Sequence, residues 1–280
     1  MNDFEAYIRQ GEPSQKEKAQ IWQTAIGLQD VDGLKPSDYL LETAKENIEN
    51  KITIGEVQQR IDNYYKQQSN RKNIETERTE EADKVSARIT EILSNNTFLF
   101  LPLEYIDIHR RLFTGIYKFA GIIRDYNISK EEWVLNGKSV LYSDYVLIRQ
   151  TLDYDFAQEK QFDYQQVSLL QSVHHIAKFI SELWQIHAFG EGNTRTTAVF
   201  AIKYLSSFGF EIDNKLFAEH SWYFRNALVR ANYNDLKNNI KATTDYLMRF
   251  FGNLLLGDNN TLKNREMLVG WEKEKNRNGR

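Results

Sequence analysis

Apolar residues recur at intervals of three and four along most of this chain. In QQVSLLQSVHHIAKFISELWQIH they fall at Val167, Leu170, Val173, Ala177, Ile180 and Trp184, the clearest amphipathic helix in the sequence. The next run, TRTTAVFAIKYLSSFGF, predicts a second helix with Gly209 as its C-terminal stop. Two further helices are predicted around LFAEHSWYFRNALVRAN and DLKNNIKATTDYLMRFFGNLLL. Upstream, ADKVSARITEILSN is amphipathic through Val85, Ile89, Ile92 and Leu93. LEYIDIHRRLFTGIYKFAG carries Ile106, His109, Leu112, Phe113, Ile116 and Phe119 at helical spacing. Only three prolines, Pro13, Pro36 and Pro102, punctuate the chain. Long stretches without helix breakers predict an all-α fold.

The pattern also divides the chain. Residues 1–66 predict a small helical unit. Its helices run over 19–28, then from Ser37 as N-cap through Leu40, Leu41, Ala44 and Ile48, then through Ile52, Ile54, Val57, Ile61 and Tyr64. The polar, charged residues 67–84 read as a linker or a solvated helix. A core domain follows over 85–256, and 257–280 form a polar tail. One stretch breaks the helical period. IIRDYNISKEEWVLNGKSVLY holds two short β-prone runs about Asn136-Gly137, which predicts a hairpin; a surface loop with a turn is the alternative.

Composition adds limits. With 280 residues and 41% hydrophobic content the chain can bury a real core. A formal net charge of -3 makes no whole-protein case for nucleic acid or an anionic membrane as partner. The chain has no cysteine, so disulfides and thiolate metal sites are excluded. The first residues have neither a basic start nor an apolar run, and no stretch reaches the length of a membrane span, so the expected location is cytoplasmic.

The densest chemistry lies in HAFGEGNTRTTA, residues 187–198, between the two clearest helices. Gly190 and Gly192 let the backbone reverse sharply and approach a ligand. The helix beginning at Thr194 and Arg195 exposes amides at its positive end, which suits an anion. Arg195 can add a forked contact to phosphate, and Asn193 can donate to the same oxygens. Glu191 can hold a magnesium ion that bridges phosphates. A neutral His187 can take a proton from an attacking hydroxyl. An ordinary helix–loop–helix with a polar turn is the alternative reading. The glycine spacing is not that of a P-loop.

These residues resemble the signature of the Fic family, H-x-F-x-[D/E]-G-N-G-R-x-x-R, with His187, Phe189, Glu191, Gly192, Asn193 and Arg195 in register. AGIIRDYNISK at 120–130 and the flanking helices extend the resemblance over residues 85–256. It implies a Fic-type helical bundle with one β-hairpin flap. It also implies transfer of AMP from Mg2+-ATP to a Ser, Thr or Tyr hydroxyl of a target protein. In that scheme His187 deprotonates the hydroxyl, Phe189 anchors the loop, Glu191 binds magnesium, and Gly192, Asn193 and Arg195 hold phosphates. The flap clamps the target backbone by strand addition, with Tyr126, Asn127 and Lys130 bordering the groove. Asn232 or Tyr233 is a candidate lining for the nucleotide base; polar residues at a helix end is the plain alternative. Expected partners are thus a nucleoside triphosphate and a target protein, with a homo-oligomer left open. Two departures stand out. Thr194 replaces the second motif glycine, where its hydroxyl can donate or cap the helix. Ala198 replaces the final arginine and removes a charged donor. A catalytically weak or silent binding module, or transfer of another phosphate-linked group, is therefore the competing function.

The front unit resembles the small helical antitoxins of Fic toxins through DGLKPSDYLLETAKENIENKITIGEV. Their inhibitory helix reads [S/T]-x-x-x-E-[G/N]. Here AIGLQDVDG offers only Gln29, or Asp32 before Gly33, so the resemblance implies weakened or rewired inhibition, or a simple stabilising cap. His174 and His175 are poor metal partners for His187, because their spacing rotates them apart on one helix. His109 and His220 read as structural.

Overall fold

The computed structural model describes residues 4–67, 73–210 and 215–271. Eleven α-helices run through them in chain order. The first five are α1 (Glu5–Gln10), α2 (Pro13–Gly27), α3 (Asp38–Ile48), α4 (Ile54–Gln67) and α5 (Ile74–Ser94). Then come α6 (Pro102–Phe113), α7 (Ile148–Gln161), α8 (Leu169–Ile186), α9 (Asn193–Ser207), α10 (Lys215–Ala231) and α11 (Asp245–Leu255). Among the described residues the one β-bridge, Asp235 with Ile240, is isolated, so the fold is all-α. No helix among them is long and apolar enough to cross a membrane.

The chain gathers into two compact units. One comprises residues 1–99, 107–121 and 198–221. Trp22, Leu40, Ala44, Ile48, Val57, Ile61, Tyr65 and Ala87 share one buried cluster there, so α2, α3, α4 and α5 present their apolar stripes to a common core. Polar staples fix their register. Ser37 caps α3 by accepting from Leu40 N–H, as expected, and then donates its own hydroxyl to Asp83 at 2.5 Å. Tyr65 Oη donates to the same carboxylate at 2.7 Å. Asp83 is thus a buried hub joining α3, α4 and α5, even though burial pushes its carboxyl pKa upward. Of the polar stretch 67–84, residues 68–72 lie outside the described residues, and from Ile74 the chain is already helical. Gln29 is fully buried and donates its amide to Ala25 O at 3.0 Å; the Asp32 carbonyl accepts from Arg78 at 2.9 Å. The tail assigned to 257–280 includes a short 3₁₀ turn at Asn264–Met267, and 272–280 lie outside the described residues.

The second unit comprises residues 100–106, 122–197 and 222–280. Its α8 packs against α7 and α11. Ser168 and Gln171 form a reciprocal capping box that starts α8 one residue later. The apolar stripe is buried from Val173 through Trp184, while Leu170 at its front stays exposed. Phe100, Phe156 and Phe179 pack beside one another, with ring centroids 4.9 to 5.9 Å apart.

Three expectations change. The helix predicted through Phe119 ends at Phe113, because Gly115 takes φ 74° and the chain turns. Helix α7, absent from the sequence reading, buries Ile148, Leu152 and Phe156 at four-residue spacing. The predicted hairpin is a turn without strands. Asn136 and Gly137 do take positive φ, 54° and 81°, but they follow a 3₁₀ turn at Trp133–Leu135. Glu132 N–H reaches Lys138 O at 3.0 Å, and the next donor, Lys130 N–H, goes to the Ser139 hydroxyl instead of a partner carbonyl. A side chain has taken the bond that would have extended a ladder.

Asp155 on α7 yields a pH test. Burial first, and the Glu182 charge second, push its carboxyl up to about 6, against the pull of Lys178. A carboxyl whose pKa is raised by folding stabilises the fold when protonated, and that contribution is lost as pH rises through the folded pKa. Asp155→Asn is expected to raise the thermal midpoint at about pH 7.5, measured by circular dichroism. The gain should shrink between about 6 and 3.8 and vanish below. An equal gain at all pH values would show that Asp155 carries no such shift.

Candidate active site

The site is built where α8 ends. His187 terminates that helix in the left-handed region, at φ 49° and ψ 56°, with its N–H on Trp184 O at 3.0 Å. A non-glycine residue in this region costs about 1 kcal/mol or more, so surrounding contacts must hold it. Arg124 supplies them. This arginine is buried, with only 5% of its surface exposed, and faces no carboxylate in its hydrogen bonds. Its Nε donates to His187 O at 2.7 Å and its Nη2 to Ile186 O at 3.3 Å. Its own N–H donates to Ala188 O at 2.9 Å. The remaining donors reach Tyr126 O and Ser143 O, both at 2.5 Å. One guanidinium therefore ties the end of α8 to both arms of the 126–143 segment. Nothing in the sequence reading singled it out.

The loop between α8 and α9 is fixed from within. Phe189 is fully buried, its ring 5.7 Å from Tyr105, as the anchor role required. Asn193 accepts from Phe189 N–H at 3.0 Å and donates to Phe189 O at 2.7 Å. Both polar ends of that side chain shape the loop. Gly192 takes φ 77°, and Gly190 lies buried in the same bend. The Thr194 hydroxyl accepts from the Trp184 indole N–H at 3.0 Å. Arg195 is 1% exposed, and Ala198 is fully buried.

The imidazole of His187 is enclosed by rings. Tyr142 lies 4.0 Å away at 31°, and Trp184 lies 5.3 Å away nearly perpendicular. Its Nδ1 is buried without a hydrogen-bond partner. Desolvation lowers the imidazole pKa well below its usual value; the positive charge of Lys130 adds to this, with lesser help from Arg124 and Arg225. Both effects favour the neutral imidazole.

Glu191 is half exposed and ion-paired with Lys130. A cation already sits on this carboxylate, and one exposed carboxylate is the kind of ligand magnesium takes, since that ion keeps several waters. Among the described residues no group of three or more His, Asp and Glu side chains could hold a metal. His175 instead pairs with Glu159 at 2.6 Å and stacks on Phe162, while His174 is exposed. His109 accepts from Gly121 N–H at 2.8 Å, and His220 sits at a kink in α10. Both have structural tasks. Asn232 donates to Ser181 and Leu228, and Tyr233 is buried with its hydroxyl near Asp235, which is the arrangement of a helix end. Asn127 accepts from Tyr145 N–H at 3.0 Å, and the Tyr126 ring is half exposed.

Removing the Arg124 clamp should loosen all of this. Arg124→Met leaves four carbonyls without their donors and is expected to cost about 3 kcal/mol in urea unfolding, with Arg124→Lys rescuing less than half. A loss under about 0.5 kcal/mol would deny the clamp its role.

Comparison with curated proteins and with solved structures returned no match. Residues 100–205 match the model of the Fic/DOC family. That span holds α6 through most of α9, and with them Arg124, the 126–143 segment and the whole 187–198 loop. Over these residues the chain carries a Fic-type domain, which supports a Fic-type function.

Proposed function

We propose that this chain transfers a nucleoside monophosphate from a nucleoside triphosphate, with ATP as donor, to a hydroxyl of a target protein. The carrying observation is His187: a buried imidazole kept neutral, held in a left-handed turn just ahead of the start of α9. A neutral imidazole is the form able to accept a proton. With Nδ1 enclosed, Nε2 is the nitrogen left to meet a hydroxyl. The target oxygen bonds to the α-phosphorus as its proton passes to Nε2. The bond from that phosphorus to the bridging oxygen breaks, and pyrophosphate leaves with the electron pair. In this reading the amides that open α9, together with Arg195, take the phosphate charge. Glu191 would hold the magnesium ion, which neutralises phosphate charge, and Lys130 would yield its place there. Gly190 and Gly192 allow the close backbone approach.

The target segment would lie along the groove of about 410 Å³ lined by Asn127–Ser129 and Ser139–Asp144. Its extended arms keep backbone groups available for strand addition. Residues 1–66 share a core with α5, and Gln29 is buried on its own helix turn. Both points support a stabilising role for that segment over an inhibitory one.

Ala198 favours a second reading, a nucleotide- or protein-binding module without turnover, since it removes charge at the last motif position. Incubation of the purified chain with each α-labelled nucleoside triphosphate, magnesium and a lysate separates the two. Labelled protein is expected from ATP, lost by a chelator and reduced at least about 100-fold in His187→Ala. Nucleotide binding with no labelled product for any base would establish the module instead.

A further inference from the structure

A general base is ordinarily oriented by a hydrogen bond on the ring nitrogen that does not react. In this chain that nitrogen, His187 Nδ1, is buried and has no such partner. The Trp184 carbonyl pulls the imidazole pKa upward but makes no well-formed hydrogen bond to Nδ1, so a second contact is needed to fix the plane of the ring. The closest aromatic neighbour is Tyr142, whose ring lies 4.0 Å from the imidazole at 31°. Trp184 closes the corner, 5.7 Å from Tyr142 and 5.3 Å from His187. Trp184 belongs to α8 itself, whereas Tyr142 comes from the far arm of the 126–143 segment and needs an anchor of its own.

The anchor is a buried ion pair. Glu132 has a side chain only 1% exposed, and its Oε2 stands 2.8 Å from Arg225 Nη1. Its other oxygen accepts from Tyr142 Oη at 3.2 Å. Burial and the Glu132 charge raise the Tyr142 pKa far above its usual value, so the hydroxyl stays a donor. The backbone of Glu132 also closes the Asn136-Gly137 turn, through Gly137 N–H and Leu135 N–H on its carbonyl. The chain of contacts thus runs Arg225, Glu132, Tyr142, His187. Buried ion pairs of this kind add little stability but hold one geometry.

We propose that Tyr142 is the positioning residue of His187: its ring face, pinned by the Glu132–Arg225 pair, orients the imidazole in place of a hydrogen bond at Nδ1. The inference rests on the reading of His187 as the base. The charged groups acting on that imidazole are Lys130, Arg124 and Arg225, none of which hydrogen-bonds Nδ1, and the Trp184 backbone carbonyl acts on it in the opposite sense.

The test uses the full chain with ring-labelled histidine. The chain has five histidines, and the His187 signals are identified by their loss in His187→Ala. In Tyr142→Leu the His187 ring resonances should move toward those of an unstacked imidazole. Label transfer should fall about 100-fold in kcat, with KM for nucleotide unchanged. Tyr142→Phe keeps the ring and loses the anchor, so it should restore the ring shifts in large part and lose only about threefold in kcat. Unchanged His187 resonances in folded Tyr142→Leu, or a loss confined to KM, would overturn the proposal. Should Tyr142→Leu fail to fold, the longer Tyr142→Met decides: His187 shifts that stay at their wild-type values there also overturn it. The resonances report on packing even when no nucleotide is transferred. Failure of the base reading, seen as labelling that survives His187→Ala, is therefore a separate result.

Discussion

A single buried guanidinium sets the geometry on which the site depends. Arg124 donates to carbonyls at the end of α8 and on both arms of the 126–143 segment, and no carboxylate shares in these hydrogen bonds. Burial accordingly lowers its pKa, though an arginine remains charged under any physiological condition. A carboxylate partner would have drawn the guanidinium to one side. Carbonyl partners spread its fork across three chain segments that otherwise share no regular secondary structure.

That arrangement explains how a strained residue can end the helix. His187 adopts a conformation that glycine accepts freely and histidine does not. Its carbonyl is held by Arg124, its amide by the α8 turn, and the loop beyond it by the reciprocal Asn193–Phe189 pair. The result is an imidazole dry enough to stay neutral, beside the positive end of α9. Dehydration and neighbouring cations act in the same direction on this ring. The same surroundings disfavour its protonated form, so a proton placed on this ring would be held weakly.

Much of the fold was legible. Helical periodicity marked α3, α4, α5, α8 and α9, and Ser37 and Gly209 were read correctly as a start and a stop. The motif loop was legible because its chemistry is contiguous in sequence. Helix α7 was not read, although Ile148, Leu152 and Phe156 carry the signal, because many charged residues surround them. The hairpin failed for a different reason. The Asn-Gly turn was right, but whether flanking arms pair as strands depends on which side chains intercept the backbone, and Ser139 did so. Arg124, Glu132, Tyr142 and Arg225 escaped notice because each looks ordinary in its own segment. Their meaning arises only when residues far apart in the chain meet in the interior. Asn193, read as a phosphate donor, also shapes the loop through both ends of its amide, a task no spacing rule could have disclosed.

The bond between Thr194 and Trp184 gives one departure from the motif a partner on the preceding helix. A glycine at 194, as in the motif, has no hydroxyl to receive the indole N–H, and burial leaves that group nothing else to satisfy it. Reverting position 194 alone would thus orphan a donor in a dry corner of the protein. A lineage carrying tryptophan at 184 would therefore be held to an oxygen-bearing side chain ten positions later, and the loop's freedom to drift back toward the common motif would be governed from the helix before it.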